Sequence, residues 1–371
     1  MTTSHSHDQD PTPPEHVLVT GFPAFTAKRM VRKIVGADAL AHVALLVRAK
    51  FLADAQAFVD AWPAEQRRRV ELVVGDVCDM DLGLSGAEYK ALAGRVTTLH
   101  HLAGIYFLGV DKEVAERVNV GGTRGLLEFA HDCRNLRRLC HWSTVSVSGS
   151  RKGVVLEEDL DEGQRFHNCY EQTKFLAETL LDTDTKPLPI TIFRPGIIVG
   201  DSVSGEIDRF DGPYLLMVLI TENPIDVHLP LPGRGVAPLH LVPIDYVVNA
   251  AYALSLDERA AGGTFHLVDP APFAARHVYE LIAERAAKKR PRGFIPSALA
   301  RPGMKAPGLG RIARAPLSFL EGFDHLVFYN ARHTLDLLQG TGIVCPSFDS
   351  YVHNLVRYVK EVYAARRQGD E

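Results

Sequence analysis

The stretch His16–Ala27, HVLVTGFPAFTA, decides how the rest of the chain is read. Its first half, HVLVT, is a short apolar run with the look of a buried strand. Its second half has the form of a phosphate-binding turn. There a strand runs into a helix whose free N–H groups and positive dipole end face an anion. Such a turn uses three glycines, for a tight bend, close approach to pyrophosphate and close helix–strand packing. Only Gly21 is present; Ala24 and Ala27 fill the other two places. Ala27 is a mild departure at the packing position. Ala24 is a larger one, since its methyl sits where backbone approaches phosphate. Taken alone, the stretch reads equally well as a phosphate turn or as a plain strand–helix junction. As a phosphate turn its contacts would be Thr20, Gly21, Phe22, Pro23, Ala24, Phe25 and Thr26, the last through its hydroxyl.

Outward from this stretch the pattern repeats. Apolar runs follow at His42–Arg48, Val70–Asp76, Val96–Gly104, Leu136–Thr144 and Pro189–Gly200. Helix-length segments such as RVNVGGTRGLLEFAHDC and YEQTKFLAETLL lie between them. Strands alternating with helices predict a Rossmann-like α/β fold, a doubly wound parallel sheet with helices on both faces. Its ligand crevice would lie at the carboxyl ends of the strands. After Gly200 the rhythm breaks. The expected organisation is a disordered polar tail over 1–15, a dinucleotide-binding domain with the catalytic residues over 16–200, and a smaller α+β region over 201–371. That last region would bind substrate and supply a helical cap, with strands returning to the main sheet. Pro291–Pro316, rich in Pro, Gly, Arg and Ala, reads as short helices or a loop cap, and SYVHNLVRYVKEVYAARR as an amphipathic terminal helix.

Composition excludes several classes. The net charge of −4 does not support a nucleic-acid partner. The short basic run Lys288–Arg292 reads as a solvated helix end. The five cysteines form no CxxC pair, no metal spacing and no even-numbered disulfide set, so a reduced, cytoplasmic chain without metal is expected. Tyr214–Ile220, YLLMVLI, is far shorter than the roughly 20 residues that span a bilayer. The polar start of the chain has no signal-peptide core.

Four further sites carry chemistry. Arg48 follows the second strand, where an arginine accommodates a 2′-phosphate and an acidic residue would favour NAD; NADP(H) is therefore expected over NAD(H). Asp76 and Val77 follow the third strand; Asp76 suits either an adenine amino group or a helix cap. Ala103 and Gly104 end the fourth strand with small residues that admit a cofactor. His100 and His101, just before them, read as strand-end residues without chemistry. The fourth site is WSTVSVSG (Trp142–Gly149) followed by YEQTK (Tyr170–Lys174). The spacing of four places Tyr170 and Lys174 on one helix face. A nearby ammonium is expected to lower the tyrosine pKa, and a phenol so tuned exchanges protons near neutral pH. A hydroxyl from Thr144 can hold a substrate carbonyl beside it.

Together these stretches resemble the extended short-chain dehydrogenase/reductase family, over about His16–Asp269. TGFPAFTA, GDV, NVGGT, WSTVSVSG, YEQTK and RPGIIVG stand in the family's order, with the glycine turn as the departure. The resemblance implies that Asn119 supports a water in a proton relay, Thr144 positions the carbonyl, Tyr170 donates the proton, Lys174 binds the nicotinamide ribose and Pro195 lies against the nicotinamide. A narrower resemblance, carried by GDVCDMDLGLSGAEYKAL, HWST, RPGIIVGDSVSGEIDRFDG and the ending GTGIVCPSFDSYVHNLVRYV, points to the thioester reductase and fatty acyl-CoA reductase branch, also called male-sterility-like. It implies reduction of an acyl thioester or an aldehyde, and is compatible with a homodimer. A sugar-nucleotide or hydroxysteroid dehydrogenase or epimerase, and a non-catalytic nucleotide sensor, stand as alternatives.

Overall fold

The computed structural model describes residues 14–106, 110–222, 226–295 and 325–369. Seven parallel strands form the main sheet: β1 (His16–Phe22), β2 (His42–Val47), β3 (Val70–Val74), β4 (Thr98–His101), β5 (Arg138–Trp142), β7 (Ile190–Pro195) and β11 (Thr264–Leu267). A short strand β6 (Gly153–Val155) and the strands β8 (Ile197–Val199), β9 (Leu231–Pro232) and β10 (Leu241–Pro243) lie outside it. The sheet order is β11-β7-β5-β4-β1-β2-β3, so the winding reverses between β1 and β4. That switch point opens a crevice beyond the carboxyl ends of both strands.

Sequence explains the layers. β2, HVALLV, is buried at every position after its first, as expected of a strand covered on both faces. Helix α1 (Phe25–Ala37) buries Ala27, Met30, Val31, Ile34 and Val35, a stripe at helical spacing. This stripe packs with α9 (Ile244–Leu256) and α2 (Leu52–Asp60) on one face of the sheet. The short α3 (Ala64–Arg67) then leads into β3. The other face is covered by α4 (Gly86–Ala93), α6 (Gly122–Asp132) and α7 (Cys169–Asp182). Ser85 and Glu88 start α4 with a reciprocal capping box. A separate apolar cluster joins α8 (Pro213–Thr221), α10 (Ala275–Arg285) and the terminal helix Phe348–Gly369.

Several expectations change. Pro189–Gly200 is two strands, because the chain leaves the main sheet at Gly196 and β8 pairs instead with β10. A Cβ at Gly196 would stand 2.6 Å from the His240 carbonyl oxygen, so glycine is what lets the two segments meet. The tail does not extend to residue 15. The Glu15 carbonyl accepts from the His42 amide, and its carboxylate accepts from Thr98 Oγ1 at 2.6 Å. Residues 1–13 lie outside the described residues, as does most of Pro291–Pro316. Of that segment, Phe294–Ile295 forms a strand on β9. The expected helix RVNVGGTRGLLEFAHDC is interrupted: Glu116–Gly121, between α5 (Lys112–Ala115) and α6, is one wide π-helical turn. No helix among the described residues is long and apolar enough to cross a membrane.

Candidate active site

The crevice is built from glycine outward. Gly21 adopts φ +80° at the end of β1. A Cβ there would stand 2.6 Å from the Ala103 nitrogen and 2.6 Å from the Leu102 carbonyl carbon. Only glycine lets β1 lie this close to the chain leaving β4. Helix α1 then starts just after Ala24, which is exposed, with no side-chain cap and no acidic residue in its first turn. Its first amides are therefore not taken by a side chain of their own helix end. Ala27 is fully buried, which suits the packing position. The Phe22 ring lies in the core against Phe58. The Thr20 hydroxyl meets His101 Nδ1 at 2.9 Å and accepts from the Ala103 amide at 3.1 Å. Only the backbones of these two residues remain for a ligand. Phe25 and Thr26 are partly buried at the start of α1, and the Arg29 guanidinium lies 5.2 Å from the Phe25 ring centroid.

Arg48 and Asp76 come together at the ends of β2 and β3, with Nε and Oδ2 3.0 Å apart. Asp76 also accepts from the Cys78 amide. Val77 is packed in the core beside Gly122. Pro195 is buried at the end of β7.

The chemistry-bearing side chains converge at the ends of β4 and β5. Asn168 caps α7 by accepting from the Glu171 amide, and Tyr170 follows in the first turn. The Thr144 hydroxyl lies beside the Tyr170 phenol and favours its ionised form. Thr144 in turn accepts from the Ser146 amide at 3.2 Å. One turn on, Lys174 is buried and donates to the Trp142 carbonyl at 2.6 Å. The expected lowering of the tyrosine pKa does not occur. Burial pushes the Tyr170 phenol up to about 12, against the opposing effect of the Thr144 hydroxyl. Burial also draws the Lys174 ammonium down to about 8, with Glu178 opposing. Low polarity penalises the charged form of each.

Asn119 sits in the π-helical turn, a feature that often marks functional sites. Its Oδ1 accepts from the Ile105 amide at 2.8 Å; its Nδ2 donates to the Ile105 carbonyl and to Thr173 Oγ1. The amide is thus largely occupied in fixing the loop after β4. A Cβ at Gly104 in that loop would stand 3.2 Å from Asn119 Oδ1 and 3.8 Å from Lys174 Nζ. Beneath lie the histidines of β4 and β5. Burial holds His100 and His101 down to about 3 and His141 far below its ordinary range, so they are neutral. His101 ties Thr20 to Thr123. The Ser143 hydroxyl is buried without a hydrogen-bond partner.

Sequence reasoning passed over a buried charge system behind this site. Arg194 and Glu178 form an ion pair with three hydrogen bonds, Nη2 to Oε2 at 2.6 Å the shortest. Nearby, Glu157 accepts from the amides of His266, His333 and Thr334 and from Thr334 Oγ1. Glu178 was visible as the next step in the spacing Tyr170, Lys174, Glu178. The Glu157 partners lie more than 100 residues away, and no local pattern marks them.

The residues fit a dinucleotide. The crevice needs glycine at 21, its helix end has no side-chain cap, and a basic residue stands where the adenosine end would lie.

The male sterility protein family model, an NAD-binding domain, matches residues 19–251. A fatty acyl-CoA reductase, Wat, of Drosophila melanogaster is 28% identical over 281 residues, covering 65% of this chain and 54% of that protein. A linear gramicidin synthase of Brevibacillus parabrevis is 26% identical over 372 residues, covering 93% of this chain and 7% of that one. The chain therefore spans about half of the first relative and a small part of the second. The solved terminal R domain of the myxalamid PKS-NRPS biosynthetic pathway superposes with a TM-score of 0.81 at 24% identity, covering 95% of this chain and 92% of that one. A UDP-glucuronic acid 4-epimerase from Bacillus cereus, solved with NAD, superposes with a TM-score of 0.67 at 18% identity, covering 94% and 99%. These likenesses are of fold. The family's domain takes a nicotinamide dinucleotide. With its model matched over well more than half of the length, the chain belongs to the male sterility family of NAD-binding domains, within the extended short-chain dehydrogenase/reductases.

Proposed function

We propose that the chain is an NADP(H)-dependent reductase of an acyl thioester or aldehyde carbonyl, with Tyr170 as proton donor. One observation carries the reading: Tyr170, beside the Thr144 hydroxyl, stands one helical turn before a buried Lys174 that donates to the Trp142 carbonyl at the end of β5. Residues 16–200 carry the cofactor and the reacting groups, and 201–371 supply the substrate side. The bound cofactor supplies a hydride. The amides at the start of α1 receive its pyrophosphate, Arg48 its 2′-phosphate, Asp76 its adenine and Lys174 the nicotinamide ribose, with Pro195 beside the ring.

Thr144 orients the substrate carbonyl. As negative charge grows on the carbonyl oxygen, the Tyr170 hydroxyl donates to it and then gives up its proton. A phenol held near 12 keeps its proton at neutral pH, which suits a donor in the reductive direction. Lys174, where charged, stabilises the tyrosinate left behind. Asn119 keeps the loop at Ile105 in place, with one Oδ1 lone pair left for a water. From a thioester, hydride and proton give a hemithioacetal that expels a thiol; from an aldehyde they give an alcohol.

Five free cysteines agree with a reducing, cytoplasmic setting. The test is a panel of acyl-CoAs of long and short chain, aldehydes and hydroxysteroids with NADPH and NADH. NADPH oxidation by a thioester or an aldehyde is expected. No oxidation of either nucleotide by any of these would overturn the proposal.

A further inference from the structure

The groups around Lys174 are almost all neutral. His101 approaches from β4 and His141 from β5, and burial strips both of charge. Asn119 offers an amide, and Tyr170 a protonated phenol. The ammonium itself has one short acceptor, the Trp142 carbonyl. The exception is Glu178, which is fully buried one turn further along α7. Residues four apart on a helix bring their side chains together.

Glu178 is held in place from the other side. Arg194, 2% exposed, donates through Nε to both carboxylate oxygens at 3.1 and 3.0 Å and through Nη2 to Oε2. Its remaining nitrogen, Nη1, donates to the Glu157 and Asp159 carbonyls at 3.2 and 2.8 Å. Five donors in a rigid fork fix both the guanidinium and the carboxylate it grips. A buried ion pair of this kind is weak evidence for stability, since hydrophobic replacement is often neutral. Its cost is better explained by what the carboxylate does to the second cation beside it.

We infer that Glu178, clamped by Arg194, is a positioning residue whose buried carboxylate keeps the Lys174 ammonium charged inside the site. The inference rests on the reading of Lys174 as the cation that binds the ribose and stabilises the tyrosinate. The clamp stops Glu178 from reaching Lys174 as a tight pair, so the ammonium is charged yet free to face the crevice.

The sign follows directly. Lys174 loses its proton as pH rises through about 8. Without the carboxylate, burial and the unpaired Arg194 charge both disfavour the ammonium, and deprotonation moves to lower pH. Two readouts separate this inference from the reading beneath it. The first is NMR titration of the lysine side-chain 15N signals in the ligand-free protein, with Lys174→Met assigning the signal. In Glu178→Gln the Lys174 transition is expected about one to two pH units lower than in the wild type. In Glu178→Asp it stays near the wild-type position. The second is the pH profile of kcat, whose alkaline limb should move with the NMR transition. Should Glu178→Gln fail to fold, the double variant Glu178→Leu with Arg194→Met, which replaces the pair by apolar groups, is expected to move the transition in the same direction by a smaller amount, since it also removes the opposing Arg194 charge. An unmoved Lys174 transition in a folded variant overturns the inference, whatever the turnover. A moved transition with an unmoved alkaline limb supports the role of Glu178 and overturns the role given to Lys174.

Discussion

Replacing Gly21 with alanine tests whether the crevice is built as described. At φ +80° any residue with a Cβ is strained, by about 1–2 kcal/mol. The added carbon would also meet the Ala103 nitrogen at 2.6 Å, the Leu102 carbonyl carbon at 2.6 Å and its oxygen at 2.7 Å. All three are backbone atoms, so no side-chain rotation relieves them. Relief requires β1 and β4 to part at their carboxyl ends, an overpacking cost of about 1–3 kcal/mol. Gly21→Ala is thus expected to lower stability by about 2–5 kcal/mol and to weaken dinucleotide binding by distorting the turn. Urea unfolding measures the first and nicotinamide fluorescence titration the second. Gly36→Ala is the control: it lies in α1 with nothing within 4 Å of the new carbon. It should be neutral or gain up to about 1 kcal/mol. A Gly21→Ala protein as stable as the wild type, with unchanged NADPH affinity, would refute the reasoning.

Three further outcomes are expected. Arg48→Ala should weaken NADPH about tenfold or more, while changing NADH little, as read by parallel fluorescence titrations. Glu157→Gln should cost about 1–3 kcal/mol in urea unfolding, because an amide nitrogen then faces the His333 amide that Oε2 now accepts at 2.6 Å. Ala24→Gly should tighten NADPH binding, since it removes the one exposed methyl at the start of α1; an unchanged Kd would show that this methyl does not obstruct the phosphates.

Much of the fold was legible because parallel strands, buried on both faces, leave continuous apolar runs. His42–Val47 is the plainest case. The pairing of Tyr170 with Lys174 was legible for a similar reason, since helix periodicity alone brings them together. What sequence hid was tertiary. The π-helical turn at Asn119 accompanies its hydrogen bonds to the Ile105 loop, 14 residues back. The tyrosine pKa turned on burial, which no motif reports, and so moved opposite to the expectation. Thr20 and Phe22 matched the phosphate-turn pattern in sequence, yet their side chains face His101 and the core. Glu157 reaches Thr334 across 177 positions, a distance that only the folded chain closes.

The central claim is that the Tyr170 phenol gives the proton. Tyr170→Phe removes one oxygen, that of the phenol beside Thr144, and leaves the crevice intact. NADPH affinity by fluorescence titration and turnover of the best thioester or aldehyde should be measured on this variant and the wild type together. The account predicts unchanged NADPH affinity and a kcat lower by about 100-fold or more. A variant that binds NADPH and turns over at the wild-type rate would contradict it.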